Sequence, residues 1–559
     1  MVRAEIDELL AERAMSADDY WAVVENRLDR PIADGFNSAH EACDRWARDR
    51  GRLAMIVRHP DGSSERWTFA DMAEASRRLA NALHTAGLRR GDRFAALLNQ
   101  GVDAYICALA AWRSGMVYMP LFVGFGRDAL AERLNGGEPA AIVVDHRYRD
   151  TFEATRELLT CDPAVYTVAG PQGRGLRAGD RSLWAEIDRH PADHEMADTS
   201  VSDPATLIYT SGTTGAPKGC IQPHGMLLTL LPFVRHTFAL RPHDMLFTGA
   251  SPGWAYGLYT TGFAVMAQGS PRVVYTGDFD PAVWLSLMDE ERVTYLAAAP
   301  SAYRQLVRTA QRRGLPEHLR GATSAGEPLD APLVEAWRAL GRQSGREVGD
   351  IQDGYGQSEG AMALANLAYP DEPVVPGALA STVPGFDVGL VDEDGNEQSE
   401  QGIIALRNPR YLGSIGYRNA QQKWDARWRG EWFLTGDVAR RDDKGRYWFV
   451  GRDDDLIVTS GYNVGPTEVE NIVLAQPGVA DAAVVAAPDQ MRGAVVRAVV
   501  VADGTVPQAT LTRDIQAAVK ERLGRHAYPR IVDFVEALPR TETGKIRRNV
   551  LRSAVSEDS

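Results

Sequence analysis

The sequence predicts an α/β protein made of several subdomains, and three observations support this fold class. The chain has 559 residues, which is too long for one ordinary hydrophobic core. Helical and strand patterns alternate between residues 67 and 144, as in parallel sheets covered by helices. A second alternating stretch covers residues 245 to 327, and a shorter one follows residue 466. We therefore expect two α/β units and a smaller C-terminal α+β unit.

The first unit begins with a clear helix signal. Thr68 is a candidate N-cap, apolar residues recur at helical spacing from Met72 to Ala86, and Gly87 stands where a helix would end. The segments predicted after it are strand 93–98, helix 104–113, strand 117–121 and strand 141–144. Residues 170–204 are rich in proline and glycine and are predicted to form an irregular connection.

The later units carry similar signals. In the second unit, strand 294–299 ends in Pro300, and strand 322–327 ends in Gly-Glu-Pro. In the last unit, Pro466 and two acidic residues mark the start of a helix. Its predicted elements are helix 467–474, strands 482–486 and 495–501, and helix 511–523.

Composition and charge exclude several classes of protein. Apolar residues make up 44% of the chain and charged residues 24%, as in ordinary globular proteins. The net charge of −14 disfavours general nucleic-acid binding, so an anionic ligand would need a local positive site. The four cysteines are scattered, and no apolar run is long enough to cross a membrane. We expect a cytoplasmic protein without disulfides, zinc, signal peptide or membrane partner, with its oligomeric state open and a homodimer as one option.

The most informative stretch is LIYTSGTTGAPKG, residues 207–219. A β-forming run is followed by a small hydroxyl-rich loop that ends in a lysine. Glycines in such a loop allow successive backbone N–H groups to point towards one anion. Phosphate binding is therefore predicted for Thr210, Ser211, Gly212, Thr213, Thr214, Gly215 and Lys218. The spacing is not that of a P-loop, because Gly219 rather than Ser or Thr follows the lysine. A flexible Ser/Gly surface turn is the alternative.

Two further segments lie near predicted strand ends, where ligand sites of such sheets occur. Trp254 and Tyr256 stand beside glycines and could line an apolar pocket, although core aromatics at a strand–helix junction fit equally well. In DGYGQSEG, residues 353–360, Tyr355 offers a flat stacking surface. Glu359 provides an oxygen ligand of the kind that Mg²⁺ prefers. A loop with exposed acids is the alternative interpretation of this segment.

These segments resemble motifs of the adenylate-forming superfamily, which contains acyl- and aryl-CoA synthetases, adenylation domains of peptide synthetases and beetle luciferases. Five separated motifs follow the family's order between about residues 35 and 552, among them YTSGTTGAPKG, SAGEP, DGYGQSEG, WFLTGD and PRTETGK. The nearest resemblance is to medium-chain acyl-CoA and benzoate-type CoA ligases. It implies a large N-terminal domain of two α/β subdomains and a small β-barrel-like subdomain, and a mobile α+β C-terminal domain.

The resemblance also implies roles for individual residues. Tyr355 would stack on adenine, and Lys545 would bridge the carboxylate and the α-phosphate during adenylation. Further nucleotide contacts are implied for Gly326, Glu327, Pro328, Asp353, Gly354, Gln357, Ser358, Asp437 and Arg452. Ser358 and Glu359 would meet the metal, with Lys218 on the pyrophosphate. The pocket for the acid would comprise Trp254, Tyr256, Ala325 and Gly356.

The resemblance to this superfamily also implies the domain boundaries. The N-terminal domain would cover residues 1–452, the hinge residues 453–455 with Asp454 at its centre, and the C-terminal domain residues 456–559. Gly461 and Tyr462 would approach the CoA channel. One departure stands beside them, because Asn463 occupies a position where related ligases often carry arginine.

The implied reaction is an ATP-dependent ligation that forms acyl-AMP and pyrophosphate and then transfers the acyl group to CoA. Acetate-activating relatives carry tryptophan at the position of Gly356, so we expect a larger, aromatic or medium-chain acid here. The alternatives are an enzyme that passes the acyl group to an amine or carrier protein, and a non-catalytic AMP- or ATP-binding protein. A GTPase-like switch is disfavoured because no Ser or Thr follows Lys218.

Overall fold

The computed structural model describes residues 3–210, 217–327, 329–346, 348–369, 371–452, 455–459, 462–489, 493–525, 527–540 and 546–553. Several predicted site residues lie outside these ranges: residues 211–215, Pro328, Asp454, Gly461 and Lys545. Within them, the mixed α/β architecture and the smaller C-terminal unit confirm the predicted fold class. No helix in the described part of the chain is both long and apolar enough to cross a membrane.

The first α/β unit follows two N-terminal helices. Its helices and those before it are α1 (Arg3–Arg13), α2 (Ala17–Asn26), α3 (Phe69–Thr85), α4 (Val102–Arg113), α5 (Arg127–Gly137), α6 (Arg149–Arg156) and α7 (Leu183–Arg189). The strands are β1 (Leu53–Arg58), β2 (Ser64–Thr68), β3 (Arg93–Leu97), β4 (Val117–Leu121), β5 (Ala141–Asp145), β6 (Ala164–Val168), β7 (Arg181–Ser182), β8 (Pro204–Thr210) and β9 (Lys218–Pro223).

Most predicted elements of this unit are present, with one error. Thr68 caps α3, since its side chain accepts a hydrogen bond from the backbone N–H of Asp71. The segment 170–204, predicted to be irregular, contains β7 and α7. Leu183 and Ile187 are one helical turn apart and both buried, so packing fixes a helix that the surrounding glycines and prolines obscure.

The second α/β unit contributes most of a nine-stranded sheet. Its helices are α8 (Met226–Phe233), α9 (Ala264–Ala267), α10 (Pro281–Glu290), α11 (Pro300–Arg313) and α12 (Ala331–Gln343). Its strands are β10 (Leu246–Thr248), β11 (Arg272–Tyr275), β12 (Tyr295–Ala297), β13 (Gly321–Ala325), β14 (Ile351–Gly356), β15 (Met362–Ala365) and β16 (Ser381–Thr382). The strand order is β16-β15-β14-β13-β12-β10-β11-β1-β2, and the run from β14 to β1 is parallel.

A third unit is built around an antiparallel sheet. Its elements are β17 (Val388–Val391), β18 (Gln401–Arg407), β19 (Gly416–Arg418), α13 (Gln421–Asp425), β20 (Trp428–Arg429), β21 (Trp432–Arg441) and β22 (Tyr447–Arg452). Strand β19 leaves this sheet and pairs with β9, so the eight-stranded sheet runs β19-β9-β8-β4-β3-β5-β6-β7. Asp437 and Arg452 are cross-strand partners on β21 and β22.

The C-terminal unit is a small α+β arrangement. Its elements are β23 (Ile457–Thr459), β24 (Tyr462–Val464), α14 (Pro466–Leu474), β25 (Val479–Asp489), β26 (Gly493–Ala502), α15 (Gln508–Leu523), β27 (Ile531–Phe534) and α16 (Arg548–Ser553). Strands β25, β26 and β27 form a three-stranded sheet whose apolar face packs on α14 and α15. This agrees with the predicted strands and helices after residue 466.

Candidate active site

One large cleft, with a volume of about 1780 Å³, lies where strand ends of the large sheets meet the third and C-terminal units. The ends of β8, β13 and β14 open into it, as expected for parallel sheets. Every described predicted residue of the nucleotide and acid sites lines it: Thr210, Lys218, Trp254, Tyr256, Ala325, Gly326, Glu327, Asp353, Gly354, Tyr355, Gly356, Gln357, Ser358, Glu359, Asp437 and Arg452. The fold thus brings residues that are up to 242 positions apart in the sequence into one cleft.

Lys218 marks the cationic side of the cleft. It begins β9 directly opposite Thr210, the last residue of β8, so the two residues hold the ends of the predicted phosphate loop. The Lys218 Nζ lies 5.4 Å from the centroid of the Tyr417 ring. Burial lowers the pKa of Lys218, and the neighbouring charge of Arg427 lowers it further. Because its charged form is disfavoured, the Lys218 ammonium would be stabilised by an anion bound beside it.

Glu359 lies against the same group of residues. The Tyr417 hydroxyl donates to Glu359 Oε1 over 2.9 Å, and the Thr210 hydroxyl lies 3.4 Å from the same oxygen. Arg427 adds an ion pair at 3.6 Å. The backbone carbonyl of Ser358 is fixed by the Gln222 amide at 3.2 Å, which holds the start of this turn against β9. The carboxylate is therefore held beside Thr210, the residue that precedes the predicted phosphate loop.

Sequence reasoning missed Tyr417 and Arg427. Tyr417 lies on β19, which crosses from the third unit to the first sheet, and Arg427 precedes β20. Arg427 donates to the Tyr417 hydroxyl and to Gln357 Oε1, both over 2.9 Å. Neither residue stands in a recognisable motif, so the sequence carried no signal beyond their residue types.

Asp437 organises the opposite end of the nucleotide region. The Tyr355 hydroxyl donates to Asp437 Oδ2 over 2.6 Å, and the Gln357 amide donates to the same oxygen. Arg452 pairs with Asp437 Oδ1 at 3.4 Å. Burial raises the pKa of the Tyr355 hydroxyl, and the Asp437 charge adds to that rise, so the phenol stays protonated and remains a donor. The predicted ribose pair and the predicted stacking tyrosine are thus directly connected.

The strand ends of β13 and β14 carry the carboxyl groups of Glu327 and Asp353. Gly326 follows β13 with φ of +91°, a left-handed conformation that favours glycine. The Ser301 hydroxyl lies 3.3 Å from the Glu327 carboxylate. Asp353 is 5% exposed, and burial raises its pKa to about 8. Its carboxyl group is therefore mostly neutral at pH 7 and can donate as well as accept a hydrogen bond.

Aromatic rings bound the deeper part of the cleft. Trp254 packs against Phe122 and Phe125, with ring centroids 5.6 Å apart in both pairs. The Arg133 guanidinium lies 3.9 Å from the Phe125 centroid. The Tyr256 hydroxyl is buried and makes no hydrogen bond within the described structure. These side chains give the predicted acid pocket an apolar wall with few polar groups.

The effect predicted for Gly356 needs a correction. A Cβ atom at this residue would lie 2.5 Å from both the Met362 Sδ and the Ala361 carbonyl oxygen. The space that a side chain at 356 would enter first is therefore already filled. Gly356 does not open the pocket by itself, because the size of the opening depends on Met362 as well.

The C-terminal unit also reaches the cleft. Arg540, Ile546 and Arg547 line it on both sides of the 541–545 segment in sequence. Lys545 itself lies outside the described residues, as do Gly461 and Asp454. Tyr462 begins β24, and its side chain is not described. These predicted roles consequently rest on the resemblance and on the position of their chain neighbours.

The donor set fits a nucleoside triphosphate with its metal. Lys218, Lys423, Arg427 and Arg452 all line the cleft, so a chain of net charge −14 has a local concentration of positive charge here. Glu359 and the Ser358 side chain would hold Mg²⁺, which takes few protein ligands and keeps several waters. The resting carboxylate of Glu359, held by Tyr417, is an oxygen donor of suitable chemistry.

Comparison with known proteins defines the class. The family model of AMP-binding enzymes matches residues 43–415, and the model of the AMP-binding enzyme C-terminal domain matches residues 468–545. The chain therefore belongs to the AMP-binding enzyme family, the adenylate-forming superfamily that its motifs resemble.

Individual relatives narrow the identification. The mouse mitochondrial acyl-coenzyme A synthetase ACSM4 is 31% identical, over 96% of this chain and 93% of the relative. A crystal structure of the anthranilate CoA ligase AuaEII in complex with anthranoyl-AMP matches with a TM-score of 0.84, at 26% identity, over 97% of this chain and 99% of that one. A crystal structure of a benzoate CoA ligase from Burkholderia xenovorans LB400 matches with a TM-score of 0.80, at 27% identity, over 92% of this chain and 100% of that one. The protein is an AMP-forming acid–CoA ligase, and its substrates are a carboxylic acid, ATP and CoA, with Mg²⁺ as the cofactor.

Proposed function

We propose that the protein activates an aromatic or medium-chain carboxylic acid in two steps. The acid carboxylate attacks the α-phosphorus of ATP, giving acyl-AMP and pyrophosphate, and the CoA thiolate then displaces AMP. The observation that carries this proposal is the convergence of Lys218, Tyr355 and Asp437 on one cleft whose inner wall is apolar and aromatic. The relatives named for acyl-CoA synthesis and for benzoate and anthranilate ligation support this acid class.

The chain's own residues act chiefly by positioning and by neutralising charge. Lys218 and Arg427 stabilise the pyrophosphate that departs, and Tyr355 with Asp437 orients the adenosine. Mg²⁺, when bound beside Glu359 and Ser358, neutralises phosphate charge. The two reacting groups are both anionic, so a cation must lie between them, and we assign Lys545 to that role. A rotation about Asp454, between a 1–452 domain and a 456–559 domain, would remove Lys545 and admit CoA past Gly461 and Tyr462.

A panel of acids tests the acid class. Purified protein with MgATP is assayed for pyrophosphate release with straight-chain acids from two to ten carbons and with benzoate and substituted benzoates. We expect the highest kcat/KM among medium-chain or single-ring acids, and acetate at the low end. A preference for acetate, or no pyrophosphate with any acid of the panel, would refute the proposed acid class. Acyl-CoA formation, measured by mass spectrometry, checks the second step.

The assignment of Lys545 is tested by separating the two half-reactions. Lys545→Ala removes the cation between the carboxylate and the α-phosphate, so pyrophosphate release should fall by about 10²- to 10³-fold. Transfer from preformed acyl-AMP to CoA should stay within a few-fold of the wild-type rate. Lys520→Ala, at an exposed lysine of α15, is the matched control and should change neither step. Equal losses in both half-reactions would show that Lys545 does not act selectively in adenylation.

A further inference from the structure

The guanidinium of Arg427 is held in one orientation by the strand that leads to Asp437. Its Nε donates to the Leu434 carbonyl oxygen over 2.9 Å, and its Nη2 donates to the Thr435 carbonyl oxygen over 2.6 Å. The guanidinium carbon lies 4.8 Å from the centroid of the Phe433 ring, and the side chain is 17% exposed. These contacts with β21 fix the plane of the guanidinium, so the directions of its other N–H groups are fixed too.

One of those directions leads to the carboxylate of Glu359. Arg427 Nη1 donates to the Tyr417 hydroxyl over 2.9 Å, and that hydroxyl lies 2.9 Å from Glu359 Oε1. A guanidinium has only donors, so the Tyr417 oxygen accepts from it and the single hydroxyl proton points to Glu359. Burial raises the pKa of Tyr417, and the charge of Glu359 raises it further, so this proton is retained. Arg427 therefore sets the direction of a hydrogen bond that holds Glu359.

The other direction leads to the carboxylate of Asp437. Arg427 Nη2 donates to Gln357 Oε1 over 2.9 Å, and the amide nitrogen of Gln357 donates to Asp437 Oδ2. A reversed amide would place donor against donor at Arg427 and acceptor against acceptor at Asp437. Arg427 therefore fixes the orientation of this amide as well.

We propose that Arg427 is a positioning residue that holds the metal end and the ribose end of the nucleotide site at a fixed separation. The inference rests on the proposed function, in which Glu359 faces Mg²⁺ and Asp437 faces the ribose. One nucleotide spans both ends, so a rigid connection between the two carboxylates reduces the reorganisation needed when MgATP binds. This role is additional to the positive charge of Arg427, which any cation at this position would supply.

Arg427→Lys separates the hydrogen bonds from the charge. An ammonium keeps the charge, but it is a compact group on a flexible stem and cannot reproduce the planar set of bonds that a guanidinium makes. With the preferred acid of the wild type, kcat/KM for MgATP should fall by about tenfold, measured by pyrophosphate release. The Mg²⁺ concentration for half-maximal rate should rise by about fivefold, and the Kd of AMP, measured by calorimetry without metal, by about tenfold.

Two variants test the connections one at a time, and they give an answer even if Arg427→Lys folds poorly. Tyr417→Phe should raise the Mg²⁺ requirement by about fivefold and leave the Kd of AMP within about twofold of wild type. Gln357→Ala should do the reverse, with the Kd of AMP raised by about tenfold. In the double variant of Arg427→Lys and Tyr417→Phe, the rise in Mg²⁺ requirement should be smaller than the product of the two single effects, because both changes break the same connection.

Arg429→Lys is the matched control. Arg429 lies in the same segment and lines the same cleft, and it donates to the backbone carbonyl oxygens of Glu393, Ala426 and Trp428. The substitution therefore makes the same exchange of cations outside the two connections. All three measurements should stay within about twofold of wild type.

The outcomes separate this proposal from the proposed function. Losses in both measurements for Arg427→Lys, divided between Tyr417→Phe and Gln357→Ala as described, support the proposal. Wild-type Mg²⁺ requirement and AMP affinity in Arg427→Lys, equal losses in Arg429→Lys, or single effects that multiply in the double variant overturn it and leave the proposed function intact. A wild type that releases no pyrophosphate with any acid refutes the proposed function instead, and the AMP titrations then decide the role of Arg427.

Discussion

The two halves of the cleft are built by different means. Around Lys218 the first sheet presents charge, with Arg427, Glu359 and Tyr417 held in one hydrogen-bonded group. At the end of β14 the second sheet presents less charge, because burial keeps the carboxyl group of Asp353 largely neutral. The comparison shows how a single cleft can take a highly charged nucleotide and an apolar acid together. Electrostatics should govern the rate in the charged half, and packing should govern fit and stability in the neutral half.

The largest expected effect tests the charged half. Lys218→Ala removes a partly buried cation whose charge would stabilise the departing pyrophosphate, and we expect pyrophosphate release to fall by about 10²- to 10³-fold. Thermal stability should change little, because burial already disfavours the charged lysine. Lys423→Ala removes an exposed cation from the same cleft and should cost less than about threefold. Similar losses in both variants would mean that total charge matters and the position of Lys218 does not.

A packing change tests the neutral half. Gly356→Ala places a Cβ 2.5 Å from a backbone carbonyl oxygen and from Met362, so we expect a loss of about 1–3 kcal/mol in the free energy of unfolding. Gly360→Ala is the matched control four residues later, since its Cβ would meet only Leu406 and Phe433, each at 3.8 Å. Denaturant unfolding of both variants makes the comparison. Equal stability would show that β14 and β15 separate easily, and would weaken the case for a rigid inner wall.

The last prediction concerns how folding stability depends on pH through Asp353, with a small expected change for each pH unit. Because the pKa of Asp353 is about 8 in the folded protein and near 3.8 in the unfolded chain, the folded state keeps a proton that the unfolded state loses. Folding stability should therefore fall as pH rises from about 4 to 8, by at most about 1.4 kcal/mol per pH unit from this group. Asp353→Asn should lack this contribution, so its stability relative to wild type should rise over that range. Urea unfolding at pH 5, 6, 7 and 8 measures the difference, and a constant difference would indicate that Asp353 is ionised in the fold.

The same division explains what the sequence could and could not predict. The charged half contains short local motifs, so the sequence and its family resemblance could predict that Lys218 and Glu359 lie in one cleft. Tyr417 and Arg427 could not be predicted, because Tyr417 reaches the site on β19, which pairs with the distant β9, and Arg427 lies in the segment before β20. The contact between Met362 and Gly356 depends on a β-bulge at Ala363 in β15, and pairing register cannot be read from an apolar run of four residues. The α/β alternation could be predicted because its periodicity is strong, whereas α7 has only two buried residues, Leu183 and Ile187, to indicate a helix.

Strand β19 has a consequence for how the protein is made. It completes the edge of the first sheet beside β9, although nearly 200 residues separate the two strands in the chain. During synthesis the glycine-rich motif emerges from the ribosome long before Tyr417 does, so an N-terminal fragment would hold the whole motif and lack the ring above Lys218. The edge of the first sheet can therefore be completed only after the third unit has been synthesised.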